Sequence, residues 1–377
     1  MSASSTSSPA PSEAPAGEPS GSEYRTARSG ARALLMRFLT LREGSIIVVT
    51  LLTTLYFSLT TEHFFTHANF INVLPYFAPF AILAAGEVLL MVAGEIDLSI
   101  GSVYLFSPFM FYQFDLAGLP LVANLILALL CCALVGVING IFVEIIGVSS
   151  FITTLGMLLG LGGLVLIISH AQPVAMPGAE VTTHTVNVTH VINGEKITLP
   201  EKVNEVGTFA KIFGAGAYSE LIWALVIIIG TQVLLTLTRW GTYTIAVGGN
   251  KLGAREAGIN VRLTVIRNFI VCSVFAGLVG VLEATRAGSV TPDTAGASET
   301  MFRAVSAAVI GGTLLIGGVG TAIGALFGAL FLGVLRDGLT LEGVNADYLD
   351  FILGLAILGA MVINIYVGRV RKGSGHG

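Results

Sequence analysis

Glu87, Glu95, Asp97, Ser99, Asn139, Ser150, Phe151 and Thr154 lie within or beside long apolar runs. A polar group in such a setting needs a partner or water. Glu87 is a lone acid inside a run, and a water-lined path would supply its partner. Glu95 and Asp97 fall in the polar break GEIDLSIGS, Gly94 to Ser102. Asp97 or Ser99 can also accept backbone N–H groups where the next helix begins. Glu283 and Arg286 are three residues apart, the spacing of an ion pair on one helix face near a membrane boundary. A second set lies in GTYTIAVGGNKLGAREAGINVRLTVIRN, Gly241 to Asn268, where Lys251, Arg255, Arg262 and Arg267 stand against one acid, Glu256. A basic, amphipathic stretch between two apolar runs belongs on the cytoplasmic side and offers a surface to a soluble partner.

No covalent chemistry is visible. There is no G-x-x-x-x-G-K-[ST], so the chain holds no nucleotide by a P-loop. GGVGTAIG has the wrong glycine spacing for a dinucleotide loop, and no strand precedes it. G-x-S-x-G, H-E-x-x-H and paired-cysteine motifs are missing, and no Cys/His cluster has metal spacing, so no metal site is expected. His63, His67, His170, His184 and His190 fall in or beside expected external loops, and His376 is near the end. Cys131, Cys132 and Cys272 sit in apolar runs and read as small buried hydrophobes.

The elements that must position these residues are membrane helices. Of 377 residues 54% are hydrophobic and 11% charged, against about 25% charged in soluble domains. Ten apolar segments can be placed, at 45–60, 70–93, 98–114, 119–144, 149–169, 219–238, 263–284, 300–316, 320–338 and 348–367. The expected fold is therefore all-α and polytopic, with about ten transmembrane helices. Arg25, Arg28, Arg32, Arg37 and Arg42 precede the first segment, and Arg369, Arg371 and Lys372 follow the last. Both ends and the bridge 239–262 are thus expected in the cytoplasm, and the loop 170–218 outside. Residues 1–44, rich in Ser, Pro and Ala and basic toward the first span, read as a disordered tail, 45–367 as the membrane domain and 368–377 as a second tail. No cleavable signal is expected, so the first apolar segment reads as an anchor.

Glycine occurs 46 times. Gly136/Gly140, Gly156/Gly160 and Gly320/Gly324/Gly328 form four-residue ridges of the kind that let helices approach closely inside a bundle. The breaks Gly94–Ser102 and Gly311–Gly324 each join two apolar segments. Read as lying on opposite sides of the membrane, they suggest two halves of inverted topology. In 170–218, VTTHTVNV and EKITLP alternate as hairpin strands do.

The motifs IDLSIGS (96–102), SSFITTLGM (149–157), GTYTIAVGGNKLGAREAGINV (241–261), AGLVGVLEATRAGSVTPDTAG (276–296) and VIGGTLLIGGVGTAIGALFGALFLGVLRDGLTLEGV (309–344) occur in this order. With them the chain resembles the permease subunits of ribose-type ABC importers, from about Leu59 to Val367. The resemblance implies two permease subunits, identical or paralogous, around a central path in the bacterial inner membrane. It implies cytoplasmic ATPase domains that use ATP and Mg, an external sugar-binding protein, no cofactor held by this chain and no nucleic-acid partner. It also implies a short coupling helix that fits a groove of the ATPase, a role carried onto Gly248, Gly249, Asn250, Ala254, Gly258 and Ile259. Asn250 can cap that helix and Gly258 can end it in a left-handed turn. Leu252 and Ala257 leave a small apolar face, and Lys251, Arg255 and Glu256 read as rim charges.

Under that resemblance the chain is not itself an enzyme but a passive gate for a monosaccharide or similar polyol. Glu87, Asp97, Ser99, Asn139, Ser150, Phe151 and Thr154 are its path candidates, an aromatic ring beside hydroxyl and amide groups suiting a sugar. Two positions depart from the family: it usually has Gly in place of Glu95 and an uncharged residue in place of Glu87. Two added acids near the path would favour a polar or basic ligand. The alternative is an ion-coupled secondary transporter with Glu87 and Asp97 as ion ligands. An intramembrane enzyme would need a nucleophile, base or metal cluster at depth, and none is found.

Overall fold

A computed structural model describes residues 43–192 and 195–373. The tail expected before the first span lies outside the described residues up to position 42, as do residues 193–194 and 374–377, including His376.

The described chain is mostly helical. Its helices are α1 (Gly44–Thr60), α2 (His67–Val92), α3 (Ile100–Leu116), α4 (Leu121–Ile141, extended by a π turn Phe142–Ile146), α5 (Ser150–Ser169), α6 (Thr208–Ile212), α7 (Ser219–Leu237), α8 (Arg239–Gly249), α9 (Lys251–Glu256), α10 (Val261–Ala287), α11 (Thr294–Ile310), α12 (Ala322–Leu341) and α13 (Ala346–Gly373). Six of these, α2, α4 with its π turn, α5, α7, α10 and α12, are long and apolar enough to cross a membrane, and α1 is a shorter apolar helix. This is a multi-pass membrane protein.

Helix α2 is the central post. Its apolar window is 83% buried, and it packs on α10, α12, α7 and α11. Lipid is as apolar as leucine, so burial alone does not drive such helices together; close van der Waals contact does. A Cβ on Gly136 would stand 2.6 Å from the Phe269 carbonyl oxygen, and one on Gly140 2.8 Å from Ile266 Cα, so α4 crosses α10 almost backbone to backbone. The ridge on α12 does the same: a Cβ on Gly328 would collide with the Ala307 carbonyl of α11. The third ridge differs from expectation. Gly156 and Gly160 on α5 have nothing within 4 Å, and only 22% of the α5 window is buried within the chain. That ridge faces outward.

Three further expectations are corrected. The segment expected as a helix over 300–316 starts earlier and ends earlier, at Thr294 and Ile310. Asp293 fixes the start by accepting the N–H groups of Ala295 and Gly296. Gly312, Gly317 and Gly318 adopt φ of 93°, 92° and 77°, which no helix can contain. Leu314, Leu315 and Ile316 are apolar but exposed, so hydropathy misread a loop as a span. The last helix continues past 367 to Gly373. Finally, the two polar breaks do not lie on opposite sides: the Gly318 N–H donates to the Val92 carbonyl at 2.8 Å. They meet at one end of the bundle, and their placement gives no support to inverted halves.

The chain is not purely helical. Strands β2 (Val181–Ile192) and β3 (Glu195–Val206) form the hairpin that the alternating residues foreshadow, paired antiparallel from Val181↔Val206 to Ile192↔Glu195. Short strand β1 (Val174–Ala175) pairs with β4 (Ser289–Val290), tying the 170–218 segment to the α10–α11 connection. Beside it, Phe111, Phe209, Phe213 and Trp223 stack in sequence at 4.8–5.6 Å.

Gly136→Val should lower the thermal melt of the detergent-solubilised protein, because overpacking costs about 1–3 kcal/mol. Gly156→Ala should leave it unchanged. A fluorescence-detected melt of both variants checks the crossing.

Candidate functional site: an exposed bridge seated on a broken backbone

The bridge 239–262 is built from local capping. Thr238 caps α8 by accepting the Gly241 N–H at 3.2 Å. Asn250 is extended, with φ −157°, and its Oδ1 accepts the Gly253 N–H at 2.9 Å, starting α9. Helix α9 ends in a Schellman turn: Ile259 N–H donates to Ala254 O and Gly258 N–H to Arg255 O, both at 3.0 Å. Gly258 has φ +84°, where a side chain costs about 1–2 kcal/mol. Asn260 then caps α10 through Leu263 N–H at 3.0 Å. The cap at Asn250 and the left-handed turn at Gly258 are as the sequence predicts.

The bridge residues divide by direction. Ala254 is buried, Ile259 is half-buried against the core, and Gly248 faces inward. A Cβ on Gly248 would overlap the Val92 carbonyl and stand 2.6 Å from Gly318 N. The bridge is therefore seated where both polar breaks meet. Gly249, Asn250, Leu252, Arg255, Glu256, Ala257 and Gly258 are exposed. Lys251 departs from its reading as a rim charge: its ammonium reaches Glu95 at 3.1 Å and Glu144 at 2.5 Å. Burial works against its charge, but the hydrogen bond to Glu144 and the field and hydrogen bond of Glu95 outweigh it and hold the pKa above the ordinary lysine value. Glu95 is thus engaged within the chain. It gives no argument for a basic ligand. Glu144 was missed by sequence reading; a lone acid at the end of an otherwise apolar helix was its signal.

Behind this seat lies the α2–α3 break. Helix α2 ends in a Schellman turn at Gly94, φ +85°, with Glu95 N–H bonded to Leu90 O at 3.0 Å. The next four N–H groups have no helix or strand to bond. Ile96 N–H goes to Ser150 Oγ at 3.4 Å, Asp97 N–H to Glu87 Oε2 at 3.5 Å, Leu98 N–H to Thr154 Oγ1 at 3.0 Å and Ser99 N–H to Asp97 Oδ1 at 2.8 Å. Asn139 Nδ2 donates to Ser99 Oγ at 2.9 Å, and that hydroxyl donates to Asp97 Oδ1 at 2.5 Å. Six of the seven path candidates thus form one buried network that satisfies irregular backbone where water is excluded. Asp97, rather than Ser99, accepts the N–H at the helix start. Phe151 stands apart, its ring 54% exposed on the outward face of α5.

At the other end of the bundle Arg286 pairs with Glu283 at 2.6 Å, as the spacing predicts, and also with Glu220 at 2.9 Å. Arg303 and Arg336 share Glu299 and Asp350 and lie over the rings of Phe80 and Tyr76.

The described residues thus form a helical membrane body with a polar backbone break and a short exposed helix beside it. A family model described as "Branched-chain amino acid transport system / permease component" matches residues 69–361. The xylose/arabinose import permease protein of Sulfolobus acidocaldarius is 31% identical over 334 residues, covering 87% of this chain and 86% of its own. The ribose import permease protein of Escherichia coli is 30% identical over 308 residues, covering 81% and 88%. The D-allose transport system permease protein of Escherichia coli is 27% identical over 327 residues, covering 86% and 92%. No solved structure matches. The chain belongs to the ribose-type ABC importer permease family.

Thr154→Val removes the acceptor for Leu98 N–H and should destabilise by about 1–3 kcal/mol, the cost of a buried unpaired donor. Thr154→Ser should restore the melt. Glu87→Gln keeps an acceptor for Asp97 N–H and should preserve both folding and transport, whereas Glu87→Leu should lose folding. Loss of transport in a well-folded Glu87→Gln variant would assign that carboxylate to an ion instead.

Proposed function

We propose that this chain is the membrane-spanning subunit of an ATP-driven importer, translocating a monosaccharide or similar small polyol that an external binding protein delivers. Two such subunits, identical or paralogous, form the path in the bacterial inner membrane, each crossing about ten times with both ends in the cytoplasm. The α8–α9 face is cytoplasmic and the β2–β3 hairpin external. The observation that carries the reading is the exposed helix α9, which follows directly on the α8 end seated where both polar breaks meet and is fastened to the first of them through Lys251 and Glu95: a surface for an outside partner, joined to irregular backbone inside the bundle. The similar permeases named for xylose, arabinose, ribose and allose point to the substrate class.

The chain's own work is mechanical. ATP closes the partner's two domains; α9, carried with them, shifts the α2–α3 break; the helices then open the path to one side. Leu252, Ala257, Arg255 and Glu256 meet the ATPase, with the apolar pair supplying contact and the charges setting register. ATP and Mg act on the partner, and no cofactor is required on this chain. An ion-coupled mechanism has weak support, because Glu87 and Asp97 already accept backbone N–H groups.

The test is reconstitution of the chain with its ATPase in liposomes, supplied with the binding protein and labelled D-xylose, L-arabinose or D-ribose. Uptake of one sugar should require both ATP and the ATPase. Gly258→Val, strained at φ +84°, should reduce uptake at least tenfold while the protein still inserts. Uptake by the chain alone, driven by an ion gradient, would contradict the proposal.

A further inference from the structure

The contacts of Lys251 join three elements that sequence order keeps far apart. Glu95 lies in the α2–α3 break, Glu144 in the π turn ending α4, and Lys251 at the first residue of α9. A cation at a helix N-terminus opposes the helix dipole, so the position calls for a reason beyond helix stability. The two acids supply it. Glu144 is nearly buried, its side chain 3% exposed, and Glu95 is 13% exposed, against 43% for Lys251. Without the ammonium two carboxylates would face each other at a poorly hydrated site. The residue after Glu95 begins the run of N–H groups held by Ser150, Glu87, Thr154 and Asp97. Backbone contact of Gly248 with Val92 and Gly318 gives the bridge a pivot at the end of α8, just before α9, but such a contact resists only compression. The ion triad resists pulling as well.

We propose that Lys251 is a strut: through Glu95 and Glu144 it fastens the coupling helix to the α2–α3 break and to the end of α4, so that both pushing and pulling on α9 reach the buried network. This rests on the reading of α9 as the contact for an ATP-hydrolysing partner. It makes Lys251 a positioning residue for transport, with Glu95 and Glu144 as its anchors. It also gives Glu95 a task other than recognising solute.

The experiment uses the full complex in liposomes with labelled D-xylose and D-ribose, and follows sugar uptake, ATP hydrolysis, thermal melt and hydrogen exchange at the Ile96–Ser99 amides. In the wild type, ATP should change that exchange. Lys251→Met and Glu95→Gln should blunt the change and cut sugar moved per ATP about tenfold, within the usual range of coupling energies between sites, while ATP hydrolysis continues. Lys251→Arg, which keeps a cation for both carboxylates, should resemble wild type and retain the coupling. Variants with unaltered exchange and unaltered sugar per ATP would overturn the strut. So would uptake and hydrolysis falling together with the melt and without rescue by Lys251→Arg, since that is what a merely structural contact would do. A chain that binds no ATP-hydrolysing subunit would overturn the functional reading and the strut with it. Binding with normal coupling in Lys251→Met would overturn the strut alone.

Discussion

Backbone N–H groups inside a membrane bundle must find acceptors, and the stretch Ile96–Ser99 has none from a helix or a sheet. The rest of the functional end of this molecule follows from that constraint. Each unsatisfied group would cost several kcal/mol in hydrocarbon, so α2, α4 and α5 supply Glu87, Asn139, Ser150 and Thr154, and the break itself supplies Asp97 and Ser99. Individual interhelical hydrogen bonds in membranes average only about 0.6 kcal/mol. The network therefore acts less as glue than as a template: it holds one irregular conformation that packed helices could not otherwise contain.

A backbone held by side chains from several helices is a natural place to move a bundle. Shifting the break changes acceptors on α2 and α5 together, whereas bending an intact helix would have to break its own ladder. The bridge exploits this. Gly248 lies against Val92 and Gly318, so the end of α8 rests where both breaks meet and α9 follows directly on it. The outer face of α9 carries Leu252, Arg255, Glu256 and Ala257, all exposed. At the far end of the bundle, β1 and β4 clamp the 170–218 segment to the α10–α11 connection.

Local rules made much of this legible from sequence. Caps and terminators are short-range, so Asn250 and Gly258 could be assigned from residue type alone. The Glu283–Arg286 pair follows from helix spacing, and the hairpin from alternation in VTTHTVNV. Long-range arrangements were not legible. Hydropathy carried the eighth apolar segment to 316 because Leu314, Leu315 and Ile316 are apolar, although their glycine neighbours forbid a helix. The glycine ridges looked alike in sequence; only packing shows that Gly136/Gly140 face α10 while Gly156/Gly160 face outward. Lys251 read as a rim charge because its two acids lie 156 and 107 positions away. Six of the seven path candidates lie in one network and Phe151 does not; that they hold the broken backbone depends on which N–H meets which oxygen, which sequence does not show.

The most direct measurement is photocrosslinking from position 252, where Leu252 is 65% exposed on α9, replaced by a photoreactive residue in the intact assembly within its native membrane. The account predicts a covalent adduct with an ATP-hydrolysing subunit. An adduct formed instead with an extracytoplasmic protein would put this helix on the wrong face of the membrane and contradict the account.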